Sequence, residues 1–325
     1  MRAIVCTELG PASQLSVMEV DDPVAAAGEV VVDVVAAGLN FPDTLIIEGR
    51  YQFKPDLPFV PGGEAAGVIS AVGDGVGHLS VGQRVIALST YGAFAEKWAV
   101  PATGVIPIPD ALDFESAAGF GLTYGTSYHA LVQRARLQPS EKLLVLGAAG
   151  GVGSAAIEIG KHLGAEVIAA ASTTEKLAFA ADLGADHLVD YTTENLRDRI
   201  KEITGGSGVD VVYDPVGGDL TEQAFRSLAW NGRHLVVGFA AGEIPELPVN
   251  LALLKGASLV GVFWGRSLSE EPRRASQNFV ELTELANAGV IHPRVSQRFT
   301  LDRYEEAFAV FEGRSVMGKA IFVTE

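Results

Sequence analysis

Cysteine is almost missing from this chain. Its 325 residues hold one, Cys6, and a single thiol makes neither an internal disulfide nor a cysteine-rich metal site. Positive charge is scarce as well. Lysine and arginine number 24 against 40 aspartates and glutamates, a net charge of −16. So acidic a surface repels phosphate backbones and anionic membranes. That excludes nucleic acid as a general partner and leaves room only for a local basic pocket that takes one phosphorylated ligand. Long apolar runs are absent too. The longest stretch without Asp, Glu, Lys or Arg runs from Ser116 to Gln133, and its Gly, Ser, Thr, Tyr and His129 make it no membrane span. Met1–Gly10 reads as a strand and lacks the apolar core of a signal peptide. The expectation is a soluble, cytoplasmic protein.

What is present is ordinary globular material. Apolar residues make up 48% and charged ones 20%, and the length suggests about two domains. The first third reads as short strands, 29–37, 65–72, 81–88 and 93–100, separated by Gly or Pro. From Ser116 the rhythm changes. A helix over 115–134 leads into a strand at 142–146, a helix at 153–163, a strand at 166–170 and a helix at 175–183. Strands at 187–189, 209–214 and 234–238 alternate with helices at 196–204 and 220–228. Such alternation predicts a doubly wound parallel sheet. The last stretch, a helix at 274–288, strands at 297–301 and 319–323 and a helix at 304–311, is too small for a third domain. It is expected to return and complete the first.

One motif carries chemistry by its context. The strand Leu143–Leu146 runs into Gly147-Ala148-Ala149-Gly150-Gly151-Val152-Gly153, and a helix opens there. Small residues between strand and helix let the backbone approach a pyrophosphate, and the helix start offers free N–H groups. Sites for NAD carry an acid about 20 residues further on. Here Val167–Thr174 has none. Ser172, Thr173 and Thr174 can instead donate to a 2′-phosphate that Lys176 neutralises, which favours NADP(H). Capping of the helix from Glu175 is the plainer role for Ser-Thr-Thr, and the two are compatible.

With these residues in view, the chain resembles the medium-chain dehydrogenase/reductase superfamily, and within it the zinc-independent NADPH:quinone oxidoreductase branch. The resemblance spans nearly the whole sequence. It rests on Gly38–Thr44, Pro61–Ile69, Ala148–Gly153, Gly184–Tyr191 and Gly318–Phe322. It implies an α/β fold: a Rossmann doubly wound parallel sheet over 119–265, plus a β-rich GroES-like catalytic domain over 1–118 and 266–325, with a cleft between them. Zinc members place Cys where Asn40 stands and His where Gly63 stands. Glu64 remains, but one carboxylate does not hold Zn²⁺, and the six histidines show no ligand spacing. No metal is expected.

The resemblance also nominates site residues. Asn40, Tyr51 and Thr123 are the catalytic candidates. The Asn40 amide would bond the nicotinamide ribose or an acceptor carbonyl, unless it is only a turn residue; Thr123 would lie near the nicotinamide, or simply pack its helix. The Tyr51 phenol would hydrogen-bond a developing oxyanion or pass a proton, or else pack a wall. Asp43 is expected to tie down its own loop, with Phe41, Phe53 and Phe59 as apolar wall or core. Tyr191 would flank the adenosine phosphate. Phe239, Ala240 and the residues to Gly242 would border the nicotinamide with backbone groups, and Phe263, Trp264 and Gly265 would line its far wall. Lys319 would reach the cofactor or be solvated. Arg50, Lys54 and Arg266 would suit an anionic substrate such as an acyl-CoA if they gathered at the cleft mouth, although lone basic residues on loops are usually solvated.

Without a Lewis acid the acceptor must take hydride readily, as a quinone does. The expected function is NADPH-dependent quinone reduction. The alternatives are reduction of α,β-unsaturated carbonyls or enoyl thioesters, or a cofactor-binding protein without activity. The apolar strand Ala257–Gly265 is an edge that needs covering, and the resemblance implies that the same strand of a second copy pairs with it, so a homodimer is expected.

Overall fold

The computed structural model describes residues 1–324. The chain divides into two compact units, Met1–Leu122 with the segment from His292 onward, and Thr123–Ile291.

The first unit is built on a seven-stranded sheet and a two-stranded one. Its longest strand, Glu29–Leu39, is rich in β-branched Val, which suits a pleated and largely buried surface. Glu64–Val72 and Lys97–Pro101 pair with it antiparallel. So does the C-terminal strand Lys319–Val323, which brings the chain end back to the first domain as expected. The core gathers Val30, Val32, Val34 and Ile69 with Phe94, whose ring meets Phe322 edge-on at 4.7 Å. Truncating one such ring costs roughly 3–5 kcal/mol.

The second unit holds six parallel strands. Across the sheet they run His187–Asp190, Glu166–Ala171, Lys142–Leu146, Val209–Asp214, Leu228–Val236 and Ser258–Gly261. In chain order this is 3-2-1-4-5-6, the Rossmann arrangement, with a crevice where the strand order reverses. Helix Gly151–His162 buries Gly153, Ala155, Ala156 and Gly160, small residues that let it lie close on the sheet.

Three local expectations change. The helix expected over 115–134 is broken at Gly119–Phe120 into Phe114–Ala117 and Gly121–Tyr128, and ends in a π-type turn at His129–Ala135. The strand expected at 234–238 begins at Leu228, with Asn231 left-handed in an irregular stretch that shifts its register. The domain borders expected at 118/119 and 265/266 lie instead at 122/123 and 291/292. Helix Pro272–Asn287 therefore belongs to the second unit. Its polar face is held there, with Glu281 accepting from the Tyr128 hydroxyl and Asn278 donating to Gln133 at 3.2 Å. Sequence adjacency to the returning strands had suggested otherwise.

Candidate active site

In the first unit, strand Glu29–Leu39 ends at Asn40, which caps helix Phe41–Ile47. The Asn40 N–H donates to Asp43 Oδ2 at 2.7 Å, so Asp43 fixes the loop as expected. The Asn40 side chain is fully engaged. Its Nδ2 donates to the Gly38 carbonyl at 3.1 Å and to Glu64 Oε2 at 3.2 Å. Its Oδ1 accepts from Lys319 Nζ at 2.6 Å. Lys319 also donates to the Leu39 carbonyl at 3.2 Å and faces Glu64 Oε2 at 3.3 Å, while the Leu122 N–H donates to Glu64 Oε1 at 2.8 Å. All four side chains, Asn40, Asp43, Glu64 and Lys319, are at most 4% exposed.

Lys319 is therefore not a solvated lysine. It enters from Gly318, whose φ of 69° and closeness to the Arg294 carbonyl admit no side chain. The cluster also answers the metal question through its donors. Where zinc relatives carry Cys and His, this chain has an amide already bonded to an ammonium, and Gly63 has no donor atom. Among the described residues no group of three His, Cys, Asp or Glu could hold a metal ion. The residues do not fit zinc.

Asp43 carries a perturbed carboxyl. Burial pushes its pKa up to about 7, partly opposed by the Asn40 N–H and the Lys319 charge. Tyr51 is half-buried against the same core. Burial and then the Asp43 charge push its phenol above the ordinary value, so it stays protonated as a donor. Phe53 and Phe59, nominated from the sequence, are joined by an aromatic residue that sequence reasoning missed. Tyr91 stacks on the exposed Phe53 at 5.9 Å and meets buried Phe59 edge-on at 6.2 Å. Arg50 pairs with Glu48 at 2.9 Å and, in the second unit, Arg266 with Glu270 at 3.2 Å. Two of the three basic residues considered for an anionic substrate are thus neutralised locally.

In the second unit the nucleotide candidates gather at the carboxyl ends of the parallel strands. Gly147 leaves strand Lys142–Leu146 with φ 57°, and Gly150 caps helix Gly151–His162. A Cβ on Gly153 would lie 2.3 Å from the Gly147 carbonyl oxygen, so only glycine lets helix and turn meet. Ala149 is buried, while Gly150, Gly151 and Val152 keep some exposure. The N–H groups of the first helical turn have no acceptor within the helix. At the end of the neighbouring strand Glu166–Ala171, Lys176 Nζ donates to Ser172 Oγ at 3.2 Å. Thr173 caps helix Thr174–Asp182, its hydroxyl accepting from the Lys176 N–H at 3.3 Å. Tyr191 leaves the next strand and donates its N–H to the Ala171 carbonyl at 3.2 Å. Ser172, Lys176 and Tyr191 are thus brought to one rim.

Other nominations are modified. The Ala240, Ala241 and Gly242 N–H groups already donate to Pro215, Val216 and Phe239 carbonyls, so that loop offers no free amide at these positions. Trp264 is buried against Gly125 and edge-on to Phe279, whereas Phe263 and Gly265 are exposed. Thr123 is buried in helix Gly121–Tyr128. A missed element is Asp214. Its carboxylate accepts from the Val216 and Gly217 N–H groups, from Thr221 Oγ1 at 2.7 Å and from His234 Nε2 at 3.1 Å. Burial opposes its charge, but the His234 hydrogen bond and charge hold its pKa below the usual value. The strand-end turn beside Gly147 is thereby fixed. A lone His inside a strand and an Asp at its neighbour's end gave no signal that they would pair.

Residues 26–110 match the alcohol dehydrogenase GroES-like domain, and 151–281 match the zinc-binding dehydrogenase family. A quinone oxidoreductase-like protein 2 homolog of Nematostella vectensis is 39% identical, covering 100% of this chain and 89% of its own. The chain belongs to the quinone oxidoreductase branch of the medium-chain dehydrogenase/reductase superfamily. Among solved structures, Escherichia coli quinone oxidoreductase complexed with NADPH superposes with a TM-score of 0.93 at 31% identity, covering 100% of both chains. CurK enoyl reductase superposes at 0.91 with 27% identity, covering 100% of this chain and 99% of its own.

Proposed function

We propose that the chain is an NADPH-dependent oxidoreductase that passes hydride to a quinone without a metal ion. The observation that carries this reading is the strand end where Lys176 and Ser172 meet, with no acid between Val167 and Thr174. That pair suits a 2′-phosphate, and an aspartate in its place would repel one. The residues fit the nucleotide. The Gly147–Gly153 turn would hold its pyrophosphate, Ser172, Thr173 and Lys176 its 2′-phosphate, and Tyr191 and Phe239 would flank it. When bound, the dihydronicotinamide supplies the hydride.

The remaining work is the chain's own. Lys319 and Glu64 hold Asn40 in one orientation, which positions reactants more than it activates them. Tyr51, protonated, donates a hydrogen bond to the oxyanion that forms on the reduced acceptor. The reading is tested by NADPH and NADH oxidation with a quinone panel beside an enone and enoyl-thioester panel. Faster turnover with NADPH and quinones supports it; turnover confined to NADH or to enones sinks it. The likeness to an enoyl reductase favours the enone reading second.

The chain also suits a homodimer. Strand Ser258–Gly261 is a sheet edge with Leu259 54% exposed, close in sequence to the exposed Phe263, Leu253 and Leu254. Such an edge pairs readily with a second copy. Leu259 is the exposed residue of this strand to test. Leu259→Asp should shift light scattering from dimer to monomer, and a wild-type monomer at micromolar concentration would refute the pairing. No helix among the described residues is long and apolar enough to cross a membrane. We place the protein in the cytoplasm, which cell fractionation checks.

A further inference from the structure

Three helices of the second unit surround a cavity of about 410 Å³ that the reaction leaves unused. Arg197 and Lys201 come from helix Leu196–Ile203, Arg226 from Asp219–Arg226 and Lys255 from Asn250–Lys255, and the Trp230 indole adds an aromatic wall. Gly208 and Leu228, which line it, stand at the amino ends of strands Val209–Asp214 and Leu228–Val236. The glycine turn leaves the carboxyl end of strand Lys142–Leu146. Cavity and nucleotide site are therefore at opposite edges of the parallel sheet.

The charge of this cavity runs against that of the whole chain. Acidic residues outnumber basic ones 40 to 24 overall, yet four cations and no carboxylate line this space. Arg226 has a counter-ion, Glu222 at 2.7 Å. Among the described residues no carboxylate pairs with Arg197, Lys201 or Lys255. Lys255 is half-buried and spends one proton on the Leu228 carbonyl at 2.6 Å. Burial, and then the Arg197 charge, holds its ammonium below the usual lysine pKa. Lys255 is thus partly dehydrated among like charges, a balance that an anion reverses. Trp230 is 71% exposed beside them.

We propose that this cavity binds a phosphate-bearing small molecule, with Arg197, Lys201 and Lys255 on the phosphate and Trp230 against a flat organic remainder. The guanidinium fork matches phosphate oxygens, and an indole covers a planar group well. The volume is that of a small-molecule site, larger than inorganic phosphate needs. The overall negative charge disfavours a polyanion such as nucleic acid here.

The test is calorimetric titration of the full chain, with and without NADPH, using inorganic pyrophosphate and AMP as probes in about 0.15 M salt. Saturable binding of both probes is expected, tighter for AMP and unchanged by NADPH. Arg197→Glu combined with Lys255→Met should weaken both at least about tenfold, or 1.4 kcal/mol. Trp230→Ala should weaken AMP alone, and Lys176→Ala should change neither. Lys201→Glu, on an exposed side chain, gives the same reading if the double variant fails to fold. Heat that never saturates, affinity indifferent to Arg197 and Lys201, or binding lost with NADPH or in Lys176→Ala would each overturn the proposal.

Discussion

The polar groups around Asn40 are used up on one another, whereas the helix start that follows Gly150 leaves N–H groups without an intrahelical acceptor. Asn40 bonds through both ends of its amide, and Glu64 and Lys319 are closed within the same group. At the glycine turn the first helical N–H groups lack intrahelical partners, and Lys176 reaches the Ser172 hydroxyl. On the function we propose, the first arrangement is a fixed piece of electrostatics that orients reactants, and the second a cradle whose hydrogen bonds a nucleotide would complete.

Removing charge from the closed group should have the largest effect. Lys319→Met leaves the buried Glu64 carboxylate without its cation, and breaking a buried pair from one side costs roughly 3–5 kcal/mol. Urea unfolding should show that loss, and the double variant with Glu64→Gln should recover much of it. If Lys319→Met is silent, the two groups do not share the charge pairing described.

The open site predicts a smaller and more selective change. Lys176→Ala should weaken NADPH by roughly 1.5–3 kcal/mol, the worth of a charged hydrogen bond, and leave NADH unaffected. Binding constants for both nucleotides decide it. An equal loss for both places Lys176 away from the 2′-phosphate.

The difference between the two sites also explains what the sequence made legible. The glycine turn lies between a strand and a helix, so its whole context fits in about a dozen residues, and the pattern of βαβ units carries the sheet order. The Asn40 cluster has no such locality. Lys319 meets Glu64 across 255 positions, and a lysine after a glycine signals neither burial nor a partner. Asp214 and His234, and Tyr91 with Phe53, escaped for the same reason. Amphipathic periodicity showed that helix Pro272–Asn287 buries one face but not against which unit. The apolar run Ala257–Gly265 reads as one strand, but the strand ends at Gly261 and the chain enters helix Trp264–Glu270, a bend that an unbroken apolar run does not signal.

Acidity offers a third way to separate the sites. The Asp43 carboxyl titrates at about 7 in the fold, above its ordinary 3.8. Between those values the folded state holds a proton that the unfolded chain has lost. Asp43 thus contributes stability that is complete below pH 3.8 and is lost as pH rises to about 7. One group gives at most about 1.4 kcal/mol per pH unit. Unfolding followed from pH 5 to 8 should show wild type losing stability relative to Asp43→Asn up to about pH 7, then running parallel to it. Parallel curves throughout would remove Asp43 from the closed group as a titrating member.

The smallest effect expected is on the phenol that borders the closed group. A quinone that accepts hydride becomes an aromatic, stabilised anion, which water protonates outside the slow step. Tyr51→Phe should therefore lower kcat/KM for quinones less than about tenfold, below the 10²–10⁴ typical of an obligatory general acid. An enone leaves an enolate that must gain a proton at carbon, so there the same change should cost more. Asn40→Ala should lower both activities, because it removes the partner of Lys319 and Glu64 together. Measuring both variants with both acceptors under saturating NADPH separates positioning from proton donation. Loss of quinone turnover in Tyr51→Phe with Asn40→Ala unimpaired would mean that the phenol, and not the closed group, carries the reaction. The contrast between a fixed electrostatic group and an assisting donor would then have to be reversed.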